Sequence, residues 1–129
     1  VSKKLTIADL LKQKDQLKKK EARKTSLYID SLDAEITIQE PNRSLCIETL
    51  EMVQDEARSE MADPYLVYHS VIEPNLKDSK LQEEFGCVQP TDIVEMLFRP
   101  GEISAISGHA LQLAGFKDGV RKVDEELKN

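Results

Sequence analysis

The hydrophobic period of this chain changes once, from two to 3.6, at Pro41, and that switch most narrows the folds open to it. Before it, Leu27-Tyr28-Ile29-Asp30-Ser31-Leu32 and Ala34-Glu35-Ile36-Thr37-Ile38-Gln39 alternate in polarity and are rich in strand-forming types, with Asp33 marking the bend. The pattern predicts a β-hairpin with Leu27 and Ile29 on one face of the first strand and Ile36 and Ile38 on one face of the second. A lone hairpin is marginal in water, so the helices that follow must cover its dry side. The expected class is α+β: one antiparallel hairpin at 26–39 packed on a bundle of short helices from 42 to 115, preceded by an amphipathic helix. At 129 residues there is room for one core with an appended arm, not for two cores.

Each later helix has its own start and stop. Pro41 and Asn42 open one with Leu45, Cys46, Thr49, Met52 and Val53 inward, expected to end near Ser59. Asp63 as cap and Pro64 in the first turn open the next, which runs to Ile72 and is apolar nearly all round, as a buried central helix must be. Glu73-Pro74-Asn75 breaks it. Helices from Ser79 to Phe85, closed by Gly86, from Pro90 to Phe98, and from Gly101 to Ala114 follow; the last has Ile103, Ile106, Ala110 and Leu113 at helical spacing. Residues 117–129 suggest a weak amphipathic helix through Val120, Val123 and Leu127.

The start of the chain differs in charge from the rest. Residues 1–24 hold nine basic against three acidic residues, a net of +6, and the remainder holds nine against 21, a net of −12. This divides the chain into an arm (1–24), a body (25–116) and a tail (117–129). Within the arm, Thr6 reads as an N-cap with Asp9 reaching back from the third helical position. Leu5 and Leu10 have the spacing of a hydrophobic staple, and Ile7, Leu10, Leu11 and Leu17 share one face of a helix expected to reach about Lys20. Such an arm can neutralise phosphates, lie as a solvated helix face, or be drawn to an acidic body or partner. It has no aromatic residue to stack on a base.

Chemistry finds little support. Cys46 and Cys87 stand far apart, outside any paired motif, and read as small core residues; His69 reads as a hydrogen-bonded core histidine and His109 as a surface residue. These four are scattered singly, so no metal site is expected, nor any cofactor. Ser107 and His109 are two apart within a helical pattern and point different ways, so they form no catalytic dyad. Phosphate-binding glycine loops are missing from the sequence, and an enzyme is not expected. The stretch from Leu81 to Leu97 imitates a helix-turn-helix, but its second helix offers Asp92 and Glu95 where a DNA reader needs cations. No apolar run would span a membrane and no secretory signal opens the chain, so the expected place is a cytoplasm. What remains is surface for proteins: Ile7, Leu10 and Leu11 on the arm, as a helix laid in a groove, and Tyr65 with Tyr68, which either line a groove or fill the core.

A longer pattern points further. Tyr65-Leu66-Val67-Tyr68-His69-Ser70-Val71-Ile72-Glu73-Pro74-Asn75-Leu76-Lys77-Asp78, continuing through Leu81-Gln82-Glu83-Glu84-Phe85-Gly86-Cys87, resembles the XkdN-like tail assembly chaperones of phages and prophages that infect Gram-positive bacteria. The likeness extends to Pro90-Thr91-Asp92-Ile93-Val94 and Pro100-Gly101-Glu102-Ile103, and back to Thr6-Ile7-Ala8-Asp9-Leu10-Leu11 and Ser31-Leu32-Asp33. The resemblance implies a non-enzymatic protein of the host bacterial cytoplasm that coats the tape measure protein before the tail tube polymerises and is absent from the finished virion. Other tail proteins are further partners it allows, and a nucleic-acid-binding regulator or a structural tail component are the alternatives. It also implies that a longer product made by ribosomal slippage is worth seeking, since Leu127-Lys128-Asn129 is codable by a slippery adenine-rich heptamer.

Overall fold

The computed structural model of the chain describes residues 3–123. Two short helices, α1 (Ile7–Lys12) and α2 (Lys14–Lys18), precede strands β1 (Lys24–Ile29) and β2 (Ala34–Gln39). Helices α3 (Arg43–Gln54) and α4 (Ala62–Ser70) follow, then strand β3 (Val71–Glu73) and helices α5 (Ser79–Glu84), α6 (Asp92–Leu97) and α7 (Pro100–Leu113). The class is α+β, with an antiparallel sheet of order β1-β2-β3 against a helical layer.

In the hairpin, Leu27 lies opposite Ile36 and Ile29 opposite Ala34. Ile29, Ile36 and Ile38 are buried, so alternation does put one face into the core. The first strand is displaced toward the N-terminus relative to expectation. Residues 30–32, expected to be strand, form a 3-10 turn because the chain must reverse before Ala34. Asp33 closes the turn at φ 48, a left-handed conformation that a short polar side chain tolerates, and the Tyr28 hydroxyl donates to its carboxylate.

The expected two-stranded hairpin becomes a three-stranded sheet. Val71 and Ile72, expected to continue the central helix, leave it: α4 ends at Ser70, and Val71 pairs with Ile38 while Glu73 pairs with Thr37. β-Branched residues suit either state locally, and the open edge of β2 rewards the extended one. Pro74 bars helical geometry at Glu73, so the segment has no helical continuation to lose.

Helix ends also moved. Asn42 caps α3 as expected, its side chain accepting the Leu45 N–H at 2.8 Å, but the helix stops at Gln54 rather than near Ser59. Asp55 ends it by accepting from Ala57 N–H (3.0 Å) and Arg58 Nε (2.8 Å), and Val53 is left 55% exposed instead of inward. Asp63 is not the cap of α4, which starts at Ala62; its carboxylate instead accepts from the buried Ser107 hydroxyl at 2.7 Å, tying α4 to α7. α6 begins at Asp92, not Pro90, and α7 begins with Pro100 in its first turn and is followed by Gly115 at φ 92. Residues 117–122 are turn and irregular backbone rather than helix, with Val120 fully in solvent; Leu127 and the Lys128-Asn129 end lie outside the described residues.

The core forms around α4, which packs on α3, α6 and α7. Leu66 and Val67 are wholly inaccessible, beside Ile38, Leu76, Ile93 and Val94 from three other parts of the chain. Among the described residues no helix is long and apolar enough to cross a membrane.

Candidate functional site

The arm is built by its cap. The Asp9 N–H donates to Thr6 Oγ1 and the Thr6 N–H donates to Asp9 Oδ2, both at 3.1 Å, while Lys3 Nζ lies 3.0 Å from Asp9 Oδ1. The expected single helix is instead two, because the backbone loosens at Gln13, where the apolar stripe thins. The Lys3 ammonium, and then the Thr6 hydrogen bonds, hold the Asp9 carboxyl below its ordinary 3.8. A depressed carboxylate stabilises the folded form above the unfolded value and loses that contribution as pH falls through the folded one. The Thr6 amide resonance should therefore titrate in acid with a midpoint below 3.8 as the cap opens. A midpoint at or above 3.8 in an NMR titration would show that the capping box is not formed in solution.

The arm's apolar residues are in solvent: Ile7 is 76% and Leu11 65% exposed, and Leu10 is also exposed. The stripe is therefore not packed on the chain's own body. At the arm's root the Glu40 N–H donates to the Arg23 carbonyl (2.7 Å), and the Arg23 N–H donates to Glu40 Oε1 (3.1 Å). Lys20 to Arg23, the β2–α3 junction, His69 and the end of α7 line an open cleft of about 840 Å³.

The second pair of candidate residues divides. Tyr68 is 8% exposed and belongs to the core, while Tyr65 is half-buried at the rim. His69 joins them edge-on, 4.6 Å from the Tyr65 ring centroid and 4.9 Å from that of Tyr68, and Lys77 Nζ stands 5.4 Å above the Tyr68 ring. Burial, followed by the neighbouring Lys77 charge, lowers the His69 pKa and favours the neutral ring. Half-buried ring contacts, not the expected core hydrogen bonds, hold this histidine among the described residues.

Cys46 is buried on α3, Cys87 is partly buried against the core, and His109 is exposed on α7. Ser107 faces Asp63 and the core, away from His109. Among the described residues no three His, Cys, Asp or Glu side chains group as metal ligands. In the segment resembling a helix-turn-helix, α6 buries Ile93 and Val94, and Asp92 accepts the Val88 and Gln89 amides, so its carboxylate shapes a turn. Sequence reasoning missed one exposed feature: Ile47, Leu50 and Val53 on α3 form an apolar stripe in solvent. Their spacing of three was the available signal, and the inward assignment of Val53 concealed it.

The family model for phage XkdN-like tail assembly chaperone proteins matches residues 7–128. The chain belongs to that family. A solved structure, the bacteriophage HK97 tail assembly chaperone, is similar to this chaperone at 21% identity over 83% of this chain and 95% of that one, with a TM-score of 0.48. No curated protein matches the chaperone's sequence. Membership places the chain in phage tail assembly, a role in which family members generally act without catalysis.

Proposed function

We propose that this chaperone binds the tape measure protein of its own phage or prophage in the host bacterial cytoplasm, shields its apolar stripes until the tube polymerises, and leaves before the virion is complete. The observation that carries the reading is the basic arm, whose apolar side is left in solvent beside a well-packed acidic body. A tape measure protein is a long helical chain, and an amphipathic helix with Ile7, Leu10 and Leu11 in the open offers it apolar contact. Tyr65 at the body's rim extends that contact, and Tyr68 supports it from beneath through His69. In this reading residues 1–24 capture, 25–116 form the body and 117–129 are a tail, and the chain is not an enzyme.

Co-expression with the tape measure protein encoded nearby tests it. The two should co-purify, and purified virions should lack the chaperone. Failure to co-purify at low salt would reject the reading, and stoichiometric presence in virions would make the chain a structural tail component instead. The arm's net of +6 is also what a nucleic-acid-binding regulator would use, and a salt-sensitive shift of duplex DNA or RNA would favour that alternative.

A further inference from the structure

The two edges of the sheet are treated differently. The β3 edge is three residues long, shifts register at Thr37 and Ile38, and is followed by Pro74, devices that discourage further pairing. The β1 edge has none of them: Thr25 to Ile29 is five residues without charge, proline or glycine. The Glu40 N–H bonded to the Arg23 carbonyl fixes the alternation along β1. Thr25, Leu27 and Ile29 turn their main-chain groups toward β2, so Lys24, Ser26 and Tyr28 turn theirs to the open side. Beside that edge runs a groove of about 380 Å³, bounded by α7. Leu27, Ile29 and Ile106 give it an apolar lining, and the α7 wall is low, since Gly101 and Ala105 are small and a Cβ at Gly101 would meet no other atom within 4 Å. The Ser31 hydroxyl donates to Glu102 Oε1 at 3.0 Å and holds the hairpin turn to α7, so the groove is formed in advance. Asp30 and Glu102 make the turn end acidic, and Lys24 stands at the other end of the strand.

We propose that the groove between β1 and α7 takes an extended segment of another protein as a fourth, antiparallel strand, with a basic residue at the segment's N-terminal end. Main-chain hydrogen bonds to Lys24, Ser26 and Tyr28 give the affinity, as in other additions of a peptide to a sheet edge. Alternate side chains of the segment turn inward onto Leu27, Ile29 and Ile106, which calls for apolar residues at every second position. An antiparallel segment begins beside Asp30 and ends beside Lys24, so charge sets its direction: basic first, acidic last. This surface is separate from the arm, and its partner is an extended chain where the arm suits a helix.

The capped heptapeptide Lys-Val-Thr-Val-Thr-Val-Glu, titrated into the intact chain and followed by amide NMR, tests the groove. Its lysine falls opposite Asp30, its valines turn inward and its threonines lie beside Tyr28 and Ser26. The Ser26, Tyr28 and Ala105 amides should shift, and exchange of the Ser26 and Tyr28 amides with solvent should slow about tenfold at saturation. Methylating the two threonine nitrogens keeps every side chain but removes two donors, and should weaken binding at least about tenfold. Exchanging the terminal lysine and glutamate should weaken it about threefold at 0.1 M salt and leave little difference at 1 M. On the protein side, Ser26→Pro removes an outward N–H at no cost to the pairing with β2, and Ala105→Trp fills the groove from an exposed position; each should weaken binding at least about tenfold. The methylated peptide needs no variant to fold, so the result stands even if a substitution unfolds the chain. No shift at millimolar peptide, equal binding of the methylated or charge-exchanged peptide, or equal binding by a folded Ser26→Pro chain would each overturn the proposal. Protection of Ser26 and Tyr28 that rises with protein concentration and without peptide would overturn it too, by giving the edge to a second copy. The tape measure protein is absent from every measurement, so these outcomes are independent of its capture.

Discussion

Leu66→Asp is expected to abolish the cooperative unfolding of the body. Leu66 is wholly inaccessible on the central helix, among side chains from the sheet, α6 and α7. Removing the leucine forfeits about 2–3 kcal/mol of apolar burial, and the carboxylate that replaces it must stay charged without a partner or take up a proton. Together these terms approach the whole stability of a domain, about 5–15 kcal/mol. Circular dichroism should show no sigmoidal melt, whereas Val53→Asp, at an exposed position, should fall within about 0.5 kcal/mol of the parent in urea. A Leu66→Asp protein that melts within a few degrees of the parent would mean that α4 is not the centre of the core.

Removing residues 1–19 should leave the body folded and cost at least about a hundredfold in capture of the tape measure protein. The truncation spares the Arg23–Glu40 backbone contact that begins the hairpin, and it removes no residue of the buried core. Three apolar side chains leave the contact together, each worth about 1.5–3 kcal/mol if fully buried, and partial burial still leaves two orders of magnitude. The arm's charge adds a second signature: capture by the intact chain should weaken between 0.1 M and 1 M salt, and the truncated body's residual capture should change less. Isothermal titration or a pull-down series with the same tape measure fragment measures both. If the truncated body binds as tightly as the intact chain, capture belongs to the surface around Tyr65.

Much of this architecture follows from local patterns. The capping box at Thr6 and Asp9, the Asn42 cap, the left-handed Asp33 and Gly86, and the buried faces of α4 and α7 all obey preferences that act over a few residues. Each such signal is a steric or hydrogen-bonding demand of the residue itself, so it survives in any fold containing that turn or helix end. The arm's candidate residues were legible for the same reason: Ile7, Leu10 and Leu11 repeat at helical spacing whatever they finally touch.

Tertiary structure decided the rest. Val71 and Ile72 suit a helix or a strand equally by type, and only the open edge of β2 drew them into the sheet. Asp63 has the sequence position of a cap, yet a hydroxyl 44 residues away claims its carboxylate. Tyr65 and Tyr68 differ by less than one helical turn, and the packing of neighbouring elements put one in the core and the other at the rim. Val53 fits by period with Cys46 and Thr49 on the buried side of α3 or with Ile47 and Leu50 on the open side, and packing left it in solvent. Local propensity differences are fractions of a kilocalorie per residue, whereas pairing a strand edge or burying a ring is worth about one or more. Sequence therefore determined the class, the caps and the exposed amphipathic arm, while long-range packing determined the third strand and which apolar residues remain free to meet a partner.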